Sequence, residues 1–175
     1  MALRKIIHDG DPLLRKRSRE VKEVTDHIRG LVDDMWETMY DAGGVGLAAP
    51  QVGALRRVIV IDVTEPEDEE EDDEAVQTPP EIIKYVLINP EIVEASEETV
   101  TAKEGCLSVP GMSGIVVRPA RVKVRAFDID GESFEVEGEG MLAKALLHEI
   151  DHLEGVLYTD IAESVEENKP EGADE

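Results

Sequence analysis

The chain has 175 residues, 41% of them hydrophobic, and a formal charge of −23 from 18 basic and 41 acidic side chains. That suits one domain with a single core and excludes nucleic acid or an anionic membrane as a ligand. No apolar run approaches the roughly 18 residues of a bilayer span and the first residues lack the apolar stretch of a secretory signal, so a soluble, cytoplasmic protein is expected.

Asp11-Pro12 predicts a short helical turn, with aspartate as cap and proline at the first helical position. From Thr25 as N-cap, Ile28, Leu31, Val32, Met35, Trp36 and Met39 recur at helical spacing, and Gly43-Gly44 close an amphipathic helix. Residues 57–63 are a β-branched run that reads as a buried strand. Residues 64–80 hold nine acids between Glu65 and Glu74 and end in Thr78-Pro79-Pro80; such a segment cannot bury enough apolar surface to offset its ordering entropy, so an exposed loop is expected. Residues 85–88, 91–95 and 99–103 are short strand candidates. Residues 121–129 and 133–137 alternate around Asp130-Gly131, which predicts a hairpin. Residues 141–153 form a helix apolar on nearly every side except at Lys144, Glu149 and Asp151, so it is expected to be buried. The expected organisation is an α+β domain over residues 1–162, followed by an acidic tail without structure over 163–175.

The buried helix carries the chemistry. His148-Glu149-Ile150-Asp151-His152 is H-E-x-x-H, and histidines four apart share one helix face, close enough for one metal ion. Glu149 beside them can take a proton from an activated water and pass it on. A catalytic site of this type needs a third protein ligand and one open position. Downstream stand only Asp160, Glu163, Glu166, Glu167 and the remaining tail acids. Upstream, in Glu104-Gly105-Cys106-Leu107-Ser108, stands the single cysteine. Its thiol cannot join an internal disulfide, and by itself it reads as buried filler, nucleophile or ligand. Gly44-Val45-Gly46-Leu47-Ala48-Ala49-Pro50-Gln51 is a run of small residues after the first helix; alone it is a tight connection, and nothing in it makes a phosphate loop.

Taken together, G-φ-G-φ-A-A-x-Q (φ apolar), E-G-C-φ-S and H-E-x-x-H resemble the three motifs of the peptide deformylase family, all complete here, within a match from about Leu3 to Asp160. The resemblance implies antiparallel β-sheets wrapped around a central helix carrying H-E-x-x-H, in a cytoplasmic monomer. It also implies hydrolytic removal of the formyl group from N-formylmethionine at the start of nascent polypeptides, and with it transient proximity to the ribosome. Cys106, His148 and His152 are then the metal ligands, with Fe2+ the expected ion and Zn2+, Ni2+ or Co2+ able to substitute. Glu149 is implied as general base and then acid, with the Gln51 side-chain amide and the Leu107 backbone N–H as donors to the formyl oxygen. Gly46 is expected to contact the peptide backbone, and Val45, Met141 and Ala145 to line the methionine pocket, with the Lys144 stem along its rim. Glu104 and Arg118 are expected to form a buried ion pair supporting the cysteine strand.

Two departures stand out: Leu147 occupies the position where many members have glutamine, and the acidic C-terminal segment lacks the basic helix by which some bacterial members dock on the ribosome. Competing readings are a metallopeptidase cutting internal bonds, which leaves Cys106 unexplained, and a noncatalytic metal-stabilised module, which needs neither Glu149 nor Gln51.

Overall fold

A computed structural model describes residues 2–64 and 81–168. The expected first turn is a 3-10 turn over Pro12–Arg15 capped by the Asp11 side chain. Helix α1 (Asp26–Asp41) starts at Thr25, whose hydroxyl accepts the Ile28 N–H. Eight strands follow in two sheets: β1 (Gly46–Ala48), β2 (Val58–Asp62), β3 (Lys84–Ala95), β4 (Thr99–Cys106), β5 (Val109–Pro119), β6 (Arg121–Phe127), β7 (Ser133–Glu139) and β8 (Ser164–Glu167). Helix α2 (Gly140–Leu153) lies between β7 and the short helix α3 (Tyr158–Ile161). The five-stranded sheet has the order β1-β2-β3-β6-β7, the three-stranded sheet the order β4-β5-β8, and every pairing is antiparallel.

Strand β2 explains its own composition. Val58 and Val60 pack toward Ile28, Leu31, Val32 and Met35 of α1, while Ile59 and Ile61 pack toward Leu146, Ile150 and Leu153 of α2. Both faces are covered, so alternation disappears and the strand reads as one apolar run. Leu147 joins the α2-side core, buried where a polar residue was an alternative.

Two expectations are corrected and one strand is new. Residues 85–88 and 91–95 belong to one strand, β3; the turn-like Asn89-Pro90 is absorbed as an irregularity in the pairing with β6. Asn89 adopts a positive φ of 52° and clamps Val21 through two hydrogen bonds of 2.8 Å. The new strand is β5, over 109–119, hidden by its glycines and prolines. The tail expected to lack structure from residue 163, in turn, contributes β8, which pairs with β5. A Cβ on Gly114 would stand 2.8 Å from the Ser164 carbonyl oxygen, so glycine lets β8 close on β5. The acidic loop expected over 64–80 lies, from residue 65 onward, outside the described residues. No helix among the described residues is long and apolar enough to cross a membrane.

Candidate metal centre and cleft

Helix α2 is anchored by its apolar faces, and this fixes the polar residues it carries. His148 and His152 are buried with ring centroids 5.0 Å apart. Cys106, at the end of β4, closes the group. The ligand atoms of Cys106, His148 and His152 all lie within 4.8 Å of one another, with Cys106 Sγ 3.4 Å from His152 Nε2.

Behind His148 stands a chain of charges. His148 Nδ1 donates to Glu104 Oε1 at 2.9 Å, which leaves Nε2 free to ligate. Arg118 grips Glu104 in a fork at 2.6 and 2.9 Å and donates to Asp151 Oδ2 at 2.9 Å. Burial would raise the Glu104 pKa, yet the hydrogen bonds from His148 and Arg118 hold it down at about 2, so Glu104 is a buried carboxylate. The expected Glu104–Arg118 pair is therefore present and extends to His148 and Asp151. For His152, burial is the largest cause holding the pKa well below its usual value, which favours the neutral ring.

Glu149 is buried, and burial pushes its carboxyl up to about 7. Its Oε2 is buried without a hydrogen-bond partner. A Cβ on Gly46 would meet Glu149 Oε1 at 2.8 Å, so the second glycine of the small-residue run makes room for this carboxyl. The Gln51 side-chain oxygen Oε1 accepts the Ala48 N–H at 2.9 Å. That contact aims the Gln51 amide nitrogen at Ser108 Oγ, 3.0 Å away, and at Cys106 Sγ, 3.6 Å away. The Ser108 N–H also points to Cys106 Sγ at 3.4 Å.

These groups face a cleft of about 450 Å³ whose lining includes Val45, Gly46, Gln51, Leu107, Met141 and Ala145. Cys106, His148 and His152 form the Cys/His/His group, and Glu149, Gln51, Leu107, Val45, Gly46, Met141, Ala145 and Lys144 lie along this cleft, whereas Arg118 stands behind it. A smaller apolar cavity of about 230 Å³ opens beside it, walled by Val100, Ala102 and Val116 and sharing Glu104, Met141 and Lys144 with the cleft. A larger depression of about 700 Å³ at the ends of β3, β6 and β7 has charged walls and none of the candidate residues.

The donor set fits a divalent transition ion: one soft sulfur and two imidazoles, one of them oriented by a carboxylate. An unpartnered buried carboxyl stands next to it. Among the described residues, no other group of histidine, cysteine and acidic side chains has this geometry. Asp160, one of the downstream acids, is instead engaged by Arg15 and by the Leu157 N–H. Sequence reasoning passed over Ser108, Asp151 and the cavity wall at Ala102. Asp151 carried a signal, since it is a charge in an otherwise apolar helix.

The sequence profile described as polypeptide deformylase matches residues 3–168. A peptide deformylase of Lachnoclostridium phytofermentans is 53% identical over 160 residues, covering 91% of this chain and 89% of that protein. One of Acetivibrio thermocellus is 52% identical, covering 91% and 84%. Among solved structures, the peptide deformylase of Thermotoga maritima superposes with a TM-score of 0.81 at 38% identity, covering 94% of this chain and all of that one. That of Ehrlichia chaffeensis in complex with actinonin gives 0.80 at 41% identity, covering 94% and 91%.

Proposed function

The chain belongs to the polypeptide deformylase family of enzymes, and from that premise we propose that it hydrolyses the formyl group from N-formylmethionine at the start of nascent polypeptides in the cytoplasm, as a metal-dependent monomer. Cys106, His148 and His152 hold the ion, with Fe2+ the expected occupant and Zn2+, Ni2+ or Co2+ able to replace it. The ion supplies Lewis acidity, which lowers the pKa of water and polarises a carbonyl. The observation that carries the reading is Glu149: a buried carboxyl raised to about 7, with an unpartnered oxygen, beside the Cys/His/His group.

In this reading Glu149 takes the proton of the attacking water and returns it to the departing amine. A carbon–oxygen bond forms, the carbon–nitrogen bond breaks, and formate and a free amino terminus leave. The Gln51 amide and the Leu107 N–H stabilise the negative charge that develops on the formyl oxygen, each worth about 3 kcal/mol. The Ala48 contact preorganises Gln51 for this task. Strands β1 and β4 are both sheet edges and both line the cleft, so an extended peptide can hydrogen-bond between them, with Gly46 on one side. Val45, Met141 and Ala145 line the approach, and the apolar cavity beyond Met141 receives the methionine side chain.

The test is formate release from a short N-formylmethionyl peptide by protein purified without oxygen, with metal measured on the same sample. Release with one metal per chain supports the reading. Glu149→Ala is expected to keep the metal and to lose roughly 10²- to 10⁴-fold in kcat. A full metal site with no release overturns it, and an unformylated peptide would then test for a peptidase. Actinonin, bound by the Ehrlichia chaffeensis relative, is expected to block the reaction.

A further inference from the structure

We propose that Lys144 reads the third residue of the formylated peptide and favours an acidic side chain there, an inference that rests on the deformylase reading above. Lys144 is half-buried and lines both the cleft and the adjoining apolar cavity. Its ammonium donates to the Lys103 carbonyl oxygen at 3.3 Å and has no carboxylate within 4.0 Å among the described residues. The other charges nearby are taken. Glu104 is held by Arg118 and His148, the Lys103 ammonium stands 3.7 Å from Glu166, and Glu149 is buried. Among the described residues, Lys144 is thus an ammonium at the cleft without a carboxylate, and it offers a place for an anion.

The position follows from strand geometry. A peptide lying extended between the β1 and β4 edges turns successive side chains to opposite faces, so the first and third residues share a side about 7 Å apart. With the first side chain in the cavity beyond Met141, the second points away from α2 and the third returns to it. Lys144 stands four residues, about 6 Å along the helix axis, before His148 on the face that meets the cleft. The third side chain therefore meets the ammonium, and a carboxylate there gains a partly exposed ion pair.

The test compares kcat/KM for formyl-Met-Ala-Asp, formyl-Met-Ala-Asn, formyl-Met-Ala-Lys and formyl-Met-Asp-Ala with the metal-loaded enzyme, Lys144→Gln and Lys144→Glu in 0.15 M salt. The unmodified enzyme is expected to prefer aspartate to asparagine at the third position by about 1.4-fold to fivefold, the range of an exposed ion pair. The preference should vanish in Lys144→Gln and turn toward lysine in Lys144→Glu. Comparing variants cancels the repulsion of the whole chain, because one or two charges barely change a total of −23. An unchanged aspartate-to-asparagine ratio in Lys144→Gln, or discrimination that follows the second position, overturns the inference and leaves the deformylase reading intact. Formate from none of the peptides overturns both.

Discussion

The two sheets hold their halves of the proposed metal centre by different means. The five-stranded sheet is sandwiched between α1 and α2, and extensive apolar packing on both faces fixes the helix that carries His148, Glu149 and His152. The three-stranded sheet carries Cys106 on only a small core of Val109, Val116, Leu157 and Tyr158. What registers it against α2 is polar: Arg118 and Glu104 from the sheet, His148 and Asp151 from the helix. Apolar packing is undirected, whereas a forked guanidinium–carboxylate pair fixes angle and distance. The difference teaches that bulk stability and ligand geometry are assigned to separate parts of one molecule.

The strongest way to break this division is Arg118→Ala. It leaves Glu104 buried without its principal counter-charge, and removing one partner of a buried pair costs about 3–5 kcal/mol. Disturbing the partner that orients a ligating histidine lowers metal affinity about 10- to 100-fold. Thermal unfolding and chelator titration should both move; unchanged metal affinity would remove the network from its assigned role. Next comes Leu146→Ala on the opposite half. Leu146 is fully buried in the α2-side core, and truncation there costs about 2–5 kcal/mol. The folded protein should keep its metal affinity, and a loss comparable to that of Arg118→Ala would erase the distinction between the halves.

The same division decides what the sequence discloses. Helices α1 and α2 and the β6–β7 hairpin were legible because apolar periodicity and an Asp-Gly turn record their burial directly. Strand β5 was not, since Pro110, Gly111, Gly114 and Pro119 interrupt the alternation, and Gly114 is there for the approach of β8. Strand β8 carries no such signal, because all four of its side chains are exposed and it is held by backbone pairing with β5 and one exposed contact of Glu166 with Lys103. In the site, His148, Glu149 and His152 announced themselves as polar groups in an apolar helix. Cys106 needed the family motifs to be assigned. The reach of Arg118 to Asp151 spans 33 residues and two elements, and no local pattern encodes it.

Gly46→Ala probes the seam between the small-residue run and α2. The added methyl would stand 2.8 Å from Glu149 Oε1 and 3.0 Å from its Cγ, so the carboxyl must leave its rotamer. An off-rotamer side chain costs about 0.5–1.5 kcal/mol, which becomes about twofold to tenfold in rate if that orientation is needed for proton transfer. Formate-release kinetics should show a fall in kcat with stability shifted by less than about 1.5 kcal/mol. A kcat equal to that of the parent would mean that Glu149 does not act from the position it holds here.

The smallest effect concerns the strap that joins the halves. The Ile7 N–H donates to the Gln51 carbonyl and the Asp9 N–H to the Ser108 carbonyl, both at 2.7 Å, so residues 7–9 bridge the glutamine turn and the cysteine loop. The strap is fastened at its start by Asp34 of α1, which accepts the Ala2 N–H and the Arg4 Nε–H, each at 2.8 Å. The Ala2 hydrogen bond and then the Arg4 guanidinium lower the Asp34 pKa. A carboxyl lowered on folding stabilises the native state above its unfolded pKa of about 3.9 and loses that contribution as pH falls through its folded value. Asp34→Asn should therefore cost less than about 1 kcal/mol at neutral pH, as exposed pairs do, and its difference from the parent should shrink as the medium is acidified below about pH 4. Metal affinity should not move, because the backbone bonds at Ile7 and Asp9 survive the substitution. If it does move, the clasp at α1 helps set the distance between Cys106 and the histidines, and the polar registration of the two halves extends beyond Arg118 and Glu104.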